Sequence, residues 1–341
     1  MSKLIKVANG FRGCLSHLKT ISGRRQFQGG DDLLSMQDEF ASDIASITSS
    51  KAYRLLDDKT QVLTKPSRPF IRTRGKHVAE VMADAVVVAD MLGLNVSLVQ
   101  AIAYGHDIGH VPGGHPGEHY LAKRMGKKEF CHEVLGPLIM QKVERNGKGI
   151  NLTFETLEGM RRHSGRSVRE GMTQEAFVVR YMDKVAYLFA DYNDITQRTN
   201  FPVSRDIHQL MNEFGKNHRE RTTTAMAGLI VESAETGKVR FENSPLAVKF
   251  DELRTRMLDV YFRITEQDLE SLIDPVLRFL EGLDIGNPYL AFSLMTDKDL
   301  IFLSSCSARN YTHLEYTALF ERLPYLKELQ DLDLCNPYLD W

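Results

Sequence analysis

The stretch from Gln100 to His119 concentrates side chains that can bind a metal or move a proton. An apolar run with helical spacing ends at the adjacent pair His106 and Asp107, and a loop rich in glycine and proline follows. Imidazole nitrogen and carboxylate oxygen together suit a borderline divalent cation. The pair alone leaves two interpretations open, a metal site or a capping aspartate beside a hydrogen-bonded histidine.

Two positions far from this pair extend the set of candidate ligands. His77 lies near the start of a predicted helix over residues 74–92, and Asp183 interrupts an apolar helical stretch. Because burying an unpaired carboxylate is costly, Asp183 needs a cation, a metal or an outward orientation. Spacing alone leaves these three possibilities open.

The elements that would position these side chains are mainly helical. Helical periodicity dominates from about residue 33, and the alternation of strands and helices that is typical of a parallel sheet is absent from the sequence. We predict an all-α fold with at most small β elements, of which residues 60–69 are the candidate. Asn95 or Ser97 is expected to cap the helix that carries His106, and Thr153 a later helix. The predicted helices include residues 74–92, 120–145, 153–162, 174–194 and 205–236.

Composition indicates a large folded body with no strong overall charge. A chain of 341 residues that is 43% hydrophobic can bury a substantial core. We predict an N-terminal arm over residues 1–35, a core over 36–245 and a mainly helical C-terminal region over 246–341 packed on that core. The net charge of −2 gives no global attraction for nucleic acid or acidic lipid, so an anionic ligand requires a local cluster of cations.

Targeting signals and cysteine pairs are both lacking in the sequence. No apolar segment reaches the length of a membrane span, and the N-terminal apolar stretch is too short for a secretory signal. The four cysteines are far apart and form no CxxC pair, so neither a disulfide framework nor a thiolate zinc site is expected. We therefore expect a soluble, cytoplasmic protein without a membrane partner.

Several segments that occur in a fixed order along the chain add to the indication given by the His106-Asp107 pair. They cover residues 51–62, 72–81, 101–110, 114–118, 150–164 and 183–187, and a further short segment follows at 295–297. The order His77, His106-Asp107, Asp183 resembles the H…HD…D pattern of the HD-domain phosphohydrolases. More narrowly, the segments together resemble the deoxyguanosinetriphosphate triphosphohydrolase-like dNTPases, over most of residues 40 to 300. This resemblance implies the helical HD-domain fold.

The resemblance also implies a metal centre and a proton-transfer group. A divalent metal, Mn²⁺ or Mg²⁺, would be held by four side chains: His77, His106, Asp107 and Asp183. His115 and Glu118 stand where family members carry a catalytic histidine and its carboxylate partner, and they lie on one face if a helix restarts there. His110, one helical turn after His106, is the third candidate catalytic residue and would contact phosphate.

Contacts to the substrate follow from the same resemblance. The implied contacts come from Gln61, Arg74, Lys184, Tyr187 and Asp191. The planar fork of Arg74 suits two phosphate oxygens, and Asp191 would accept a hydrogen bond from the 3′-OH of the sugar. Tyr187 would leave no room for a 2′-OH, which gives a steric reason for preferring deoxynucleotides.

Four other residues near these segments receive weaker assignments. His119 and His132 are expected to be ordinary hydrogen-bonded or surface histidines. His163 and Arg166 are candidates for the rim of the pocket, by the same resemblance. None of the four is expected to be central to the chemistry.

The implied activity is metal-dependent hydrolysis of a deoxynucleoside triphosphate, with dGTP as the first candidate, to deoxynucleoside and inorganic triphosphate. One alternative is an HD phosphohydrolase acting on a monophosphate, a cyclic nucleotide or an alarmone. Another is a non-catalytic module that binds nucleotide or single-stranded DNA. A homo-oligomer is expected by analogy, with single-stranded DNA or an effector nucleotide as further candidate partners. Base preference, metal identity and the need for an activator stay open.

Overall fold

The computed structural model describes residues 2–27, 38–62, 71–165, 170–199, 201–265 and 269–338. Within these ranges the chain is helical, and its β structure is an isolated antiparallel bridge between Thr60 and Thr73. The α-helices are α1 Ser2–Gly10, α2 Glu39–Ser49, α3 Lys51–Leu55, α4 Arg74–Leu92, α5 Val96–Gly105, α6 Gly114–Arg124, α7 His132–Leu138, α8 Phe154–Arg162, α9 Gln174–Arg198, α10 Arg205–Phe214, α11 His218–Thr236, α12 Pro245–Thr265, α13 Glu270–Glu281, α14 Pro288–Ser293, α15 Asp297–Ser305 and α16 Leu323–Leu326. The predicted all-α class is confirmed.

Short irregular helical turns complete the described elements. One π-helical turn, Ile139–Val143, extends α7. The 3₁₀ turns are Ser16–Leu18, Leu56–Asp58, Tyr311–Tyr316, Phe320–Arg322 and Lys327–Leu329. No helix in the described part of the chain has both the length and the apolar character needed to cross a lipid bilayer.

Two of the predicted helices are wrong in their extent. The range 120–145 is divided, because Gly126 takes a left-handed conformation with φ of 63° just after α6 and the next helix starts only at His132. The range 205–236 is also divided, because the Asn217 side chain accepts a hydrogen bond from the Glu220 amide and begins α11 as a new helix. Residues 63–69 of the predicted extended stretch lie outside the described residues.

The turn between α4 and α5 brings the start of one helix beside the end of the other. Gly93 ends α4 in a left-handed conformation with φ of 81°, and the side chain of Asn95 caps α5 by accepting from the Leu98 amide. Thr73 caps the other end of α4 by accepting from the Lys76 amide. The chain therefore reverses within a few residues, and the first turn of α4 faces the loop that follows α5.

The buried apolar residues form two clusters that meet at α4 and α5. The first cluster includes residues of α1, α9, α11 and α12, and the second includes residues of α6, α7, α8 and the helices after α12. α4 and α5 contribute to both, with Val81 and Leu98 in the first cluster and Val78 and Ala101 in the second. Helices α4, α5 and α9 pack against one another. The candidate ligands on these helices are thus held between two packed cores.

The N-terminal segment is more tightly packed than an arm. Ala8 is 3% exposed and Leu15 is 1% exposed, and both belong to the first cluster. Residues 28–35 of the predicted arm lie outside the described residues. The division of the chain at residues 245 and 246 remains a prediction, and α12 beyond it contributes apolar side chains to the first cluster.

Candidate active site

Three helices bring the four predicted metal ligands together. His77, in the first turn of α4, has its Nε2 atom 3.0 Å from Asp183 Oδ1 on α9 and 3.8 Å from Asp107 Oδ2. His106, which directly follows α5, has its Nε2 atom 3.6 Å from Asp107 Oδ1 and 3.7 Å from Asp183 Oδ1. All four residues are buried. The two imidazoles and two carboxylates thus follow one another in a ring of donor atoms, which contains two overlapping groups that could hold an ion, His77 with His106 and Asp107, and His106 with Asp183 and His163.

The hydrogen bonding of His106 leaves its Nε2 atom available to bind a cation in this ring of donor atoms. Its Nδ1 lies 2.7 Å from the carbonyl oxygen of Ala103. A carbonyl only accepts, so Nδ1 carries a proton, and Nε2 presents its lone pair when the ring is neutral. That lone pair points to two carboxylates, and no hydrogen-bond partner for Nε2 lies among the residues described. Such an arrangement calls for a positive charge. Burial opposes a second proton on His106, but Asp107 and Asp183 outweigh burial and raise the pKa of His106, and a cation bound between the groups would take the place of that proton.

The spacing of the donor atoms also fits a divalent ion. Ligand atoms about 2.1 Å from an octahedral ion stand roughly 3 Å apart on neighbouring positions and roughly 4 Å apart on opposite ones. The distances in the ring run from 3.0 Å to 3.8 Å. Two nitrogen and two oxygen donors suit Mn²⁺, Mg²⁺ or Fe²⁺ without selecting one of them. We conclude that the donor set fits a divalent cation.

The electrostatics of the ring favour ionised carboxylates. Burial opposes the charge on Asp183, but the adjacent imidazoles of His106 and His77 hold its pKa well below its ordinary value. Burial likewise opposes the charge on Asp107, whose pKa is held well below its ordinary value by His106 and Arg74. Both residues therefore present negative oxygens to an ion at neutral pH.

A second cluster adjoins the ring and is organised by Glu118. The carboxylate of Glu118 has its Oε1 atom 2.6 Å from His110 Nδ1 and 3.0 Å from His132 Nδ1, and its Oε2 atom 3.3 Å from His115 Nδ1. His110 connects the cluster to the ring, because its Nε2 atom lies 3.2 Å from Asp107 Oδ1. The predicted pairing of His115 with Glu118 on one face of a restarted helix is present in α6.

His115 and His110 occupy different environments within this cluster. The side chain of His115 is 70% exposed, whereas His110 is buried. Burial, with the charges of Arg74 and His132, lowers the pKa of His110 to about 3, so His110 is neutral at physiological pH. The exposed His115 forms the solvent-facing end of a chain of polar groups that leads to the buried ring.

His132 was expected to be an ordinary histidine, and the structure places it in the centre of this cluster. Its ring stacks on that of His110 with centroids 3.5 Å apart. His163 Nδ1 lies 2.6 Å from the Met160 carbonyl, so His163 Nε2 presents a lone pair, and that atom lies 3.2 Å from His132 Nε2. His132 therefore donates from both ring nitrogens, to His163 and to Glu118, and carries a positive charge.

The pKa of His132 agrees with this proton assignment. Burial disfavours its charge, but the carboxylates of Glu118 and Glu133 outweigh burial and raise the pKa of His132 to about 9. The position of His132 in the sequence did not indicate this role, because His132 lies on α7 and reaches the cluster through packing of α7 against α8. His163 is buried beside His106 and not at a rim. Arg166 lies outside the described residues, and His119 is exposed as expected.

Arg74 lies directly beside the ring of donor atoms. Its Nη1 atom donates to Asp107 Oδ2 at 2.8 Å, and its Nη2 atom is 3.4 Å from the Gln61 carbonyl. Its Nε atom and the side-chain oxygen of Gln61 are buried, with no hydrogen-bond partner in the described ranges. These groups are the predicted contacts to phosphate and sugar, and both retain hydrogen-bonding capacity.

Two of the predicted sugar contacts, Tyr187 and Asp191, lie one helical turn apart on α9. Asp191 accepts a hydrogen bond from Tyr261 at 3.1 Å and forms a salt bridge with Arg72. Burial raises the pKa of Asp191 to about 6 in spite of the Arg72 guanidinium. The ring of Tyr187 lies 6.4 Å from that of Tyr261. Arg72 and Tyr261 are neighbours of the predicted site that the sequence did not indicate.

Lys184 follows Asp183 on α9, and its ammonium group lies over an aromatic ring of the same helix. Its Nζ atom is 5.9 Å from the ring centroid of Tyr181 on the same helix. The side chain is half-buried. Its role as a phosphate contact remains a prediction, as do the roles of the other substrate-binding residues.

Comparison with known proteins agrees with this geometry. A family model described as the HD domain matches residues 74–188, which include all four ring residues. A deoxyguanosinetriphosphate triphosphohydrolase-like protein of Clostridium tetani is 35% identical over 221 residues, 64% of this chain and 62% of that protein. One of the same name from Caldanaerobacter subterraneus is 35% identical over 203 residues, 60% of this chain and 59% of that protein.

A third relative is matched over a larger share of its length. The deoxyguanosinetriphosphate triphosphohydrolase-like protein of Clostridium perfringens strain SM101 is 30% identical over 269 residues, 75% of this chain and 77% of that protein. The chain spans about three fifths of the length of the relatives from Clostridium tetani and Caldanaerobacter subterraneus, at 62% and 59%. The chain contains an HD domain and belongs to the family of deoxyguanosinetriphosphate triphosphohydrolase-like proteins.

Proposed function

We propose that the protein is a divalent-metal-dependent hydrolase that converts a deoxynucleoside triphosphate to deoxynucleoside and inorganic triphosphate. The observation that carries the proposal is the buried ring of two imidazoles and two carboxylates, in which the lone pair of His106 Nε2 faces Asp107 and Asp183. His77 completes the ring as the remaining metal ligand. The names of the relatives supply the substrate class, with dGTP as the first candidate.

The reaction adds water at the α-phosphorus and breaks its bond to the 5′ oxygen. When bound, a divalent ion supplies Lewis acidity to a phosphoryl oxygen and lowers the pKa of a water that it holds. Arg74 keeps unused donors beside the ring and binds phosphate oxygens through them. The positive charge of His132 adds to the positive electrostatic potential at the place where the phosphates bind.

His115 supplies the proton that the leaving 5′ oxygen needs. Its Nδ1 faces Glu118, so its Nε2 is the nitrogen available for proton transfer. Its exposed position allows the proton to be replaced from solvent between turnovers. Gln61, Tyr187 and Asp191 hold the sugar in this account, and Lys184 a phosphate. His110 stays neutral and holds its place between Asp107 and Glu118.

Product analysis tests the proposal. The protein is incubated with each of the four dNTPs and Mn²⁺ or Mg²⁺, and the products are separated by anion-exchange chromatography. We expect deoxynucleoside and intact tripolyphosphate. Release of orthophosphate or pyrophosphate instead would contradict the proposed bond cleavage and favour another HD phosphohydrolase. Absence of turnover together with nucleotide-dependent thermal stabilisation would favour a non-catalytic binding module.

A pair of histidines on α6 provides a matched control. We expect His115→Ala to retain bound metal and lose about a hundredfold or more in kcat, since general acid catalysis contributes about that much. His119→Ala removes another exposed histidine of the same helix that is not part of the cluster, and we expect wild-type turnover. Equal activity of the two variants would refute the role of His115. Homo-oligomer formation and binding of single-stranded DNA or an effector nucleotide remain predictions.

A further inference from the structure

Asp297, in the C-terminal region, contacts two loops of the candidate active site. Its Oδ2 atom accepts a hydrogen bond from the Thr60 amide at 2.9 Å, and its Oδ1 atom accepts one from the Gly113 amide at 3.1 Å. The residue is 3% exposed. One buried carboxylate therefore satisfies two backbone donors that are far apart in sequence. The two donors lie in different loops, and neither is part of the helix that carries Asp297.

Asp297 is not needed to start the helix on which it lies. Thr296 caps α15 by accepting from the Asp299 amide, and the Asp299 side chain accepts in return from the Thr296 amide at 2.8 Å. This reciprocal capping box satisfies the first donors of the helix without Asp297. The Asp297 carboxylate is instead committed to the two active-site loops.

Each of these loops precedes predicted site residues. Thr60 is followed by Gln61, and the carbonyl of Lys59 on its other side accepts from the Arg74 amide at 2.9 Å. Gly113 has a left-handed conformation with φ of 82° and is the N-cap residue of α6. The direction of the first turn of α6 depends on this residue; that turn carries His115, and Glu118 follows it directly.

The neighbouring Lys59 makes a second connection between the same regions. Its amino group is fully buried and donates to the carbonyl oxygen of His110, and it lies 3.3 Å from the carbonyl oxygen of Ser293 at the end of α14. The loop after His106 is thus joined to the C-terminal region by the Lys59 side chain as well as by the Asp297 carboxylate. Together they fix the segment from His110 to Gly113.

We infer that Asp297 is a positioning residue for the reaction, which fixes the start of α6 and the segment before Gln61 from the C-terminal region. The inference rests on the proposed function. Asp297 makes no hydrogen bond to the metal ligands or to the predicted phosphate contacts Arg74 and Lys184, and its links to Arg74 are the backbone of Lys59 and the attraction between the two charges. Its effect should therefore fall on kcat more than on KM or on metal content.

The test compares Asp297→Asn with Asp299→Asn. Asparagine at position 297 keeps one acceptor oxygen but places an amide NH₂ against the second backbone donor. Asp299→Asn makes the same chemical change two residues away, in a buried side chain that bonds Thr296 and Ala318 and no site residue. We expect Asp297→Asn to lower kcat by about tenfold or more, with KM within about threefold of wild type. Bound metal per chain, measured by elemental analysis, should be unchanged.

A second variant and a second readout complete the test. Asp297→Glu keeps the charge and displaces the carboxyl group by one methylene, and we expect the same loss of kcat. Wild-type kcat in both variants at position 297, or an equal loss in Asp299→Asn, would overturn the inference. If the wild-type protein turns over none of the dNTPs, the proposed function fails, and hydrogen exchange then decides the inference. The Thr60 and Gly113 amides should exchange at least about fivefold faster in Asp297→Asn than in Asp299→Asn, and equal exchange would contradict it.

Discussion

Replacing Glu118 by glutamine should change the protonation of His132. Glu118 is buried, and although burial opposes its charge, the nearby His132 and His110 hold its pKa well below its ordinary value. The glutamine side chain is nearly isosteric and can still accept a hydrogen bond from His132, but it carries no charge. The substitution therefore removes the negative charge that holds a second proton on His132.

The size of the effect follows from the environment of His132. Its pKa is raised from 6.5 to about 9 although burial acts in the opposite direction. That difference corresponds to about 3 kcal/mol in favour of the charged ring, at about 1.4 kcal/mol for each unit of pKa. Glu118 is the largest source of the increase. In Glu118→Gln we expect the pKa of His132 to fall, since burial is then opposed only by the smaller contributions of Glu133 and Asp107.

Histidine ring nitrogens labelled with ¹⁵N allow this to be measured by NMR titration. At pH 7.5 the His132 ring should be doubly protonated in the wild-type protein and neutral in Glu118→Gln. Glu133→Gln serves as the control, because Glu133 Oε2 lies 3.4 Å from His132 Nδ1 and its effect should be smaller. An unchanged pKa of His132 in Glu118→Gln would refute the proton assignment. We also expect kcat to fall about a hundredfold or more, because His115 loses its partner as well.

The same shift predicts a pH dependence of stability. The folded protein binds the extra proton on His132 more tightly than the unfolded chain, so the stabilisation is complete below pH 6.5 and is lost as the pH rises through about 9. Urea unfolding of wild-type protein and Glu118→Gln across this range isolates the contribution. The stability difference between them should shrink between pH 6.5 and 9. A difference independent of pH would contradict the charged state of His132.

Three further substitutions test other parts of the account. Asp183→Ala should lose bound metal and nearly all turnover, and full metal content by elemental analysis would contradict its role as a ligand. Tyr187→Ala should raise activity on ribonucleotides relative to deoxynucleotides, and an unchanged ratio in a competition assay would remove the steric explanation. Burial lowers the pKa of Lys59 to about 7 from 10.5, so the unfolded chain binds more protons between these values and stability rises with pH. Relative to Lys59→Met, the wild-type protein should gain about 2 to 3 kcal/mol in urea unfolding from pH 7 to pH 9, and parallel pH curves would contradict this.

Local patterns predicted the helices that carry the candidate ligands. The helix over 74–92 was predicted from its apolar face, and Asn95 and Thr153 cap their helices as expected. These features depend on residues within a few positions of one another, which is why the sequence reveals them. The long-range meeting of His77 with Asp183 came from the resemblance and not from spacing.

The residues that the sequence did not indicate act through tertiary packing. The position of His132 in the sequence does not mark it as a site residue. It becomes doubly protonated because Glu118 and His163 accept hydrogen bonds from its two ring nitrogens. Asp297 lies in the segment 295–297 of the resemblance, which assigned it no role, and its contacts with Thr60 and Gly113 arise from packing of the C-terminal region. Interactions of this kind depend on how helices pack, and composition or periodicity does not contain that information.

Hydrolysis in water enriched in ¹⁸O tests the proposed reaction most directly. Attack of water at the α-phosphorus with cleavage of the bond to the 5′ oxygen places one ¹⁸O atom in the tripolyphosphate and none in the deoxynucleoside. We predict this labelling, by mass spectrometry, for dGTP or another dNTP in the presence of Mn²⁺ or Mg²⁺, and its absence in His106→Ala. Label in the nucleoside, or in orthophosphate or pyrophosphate released in place of tripolyphosphate, would contradict the account.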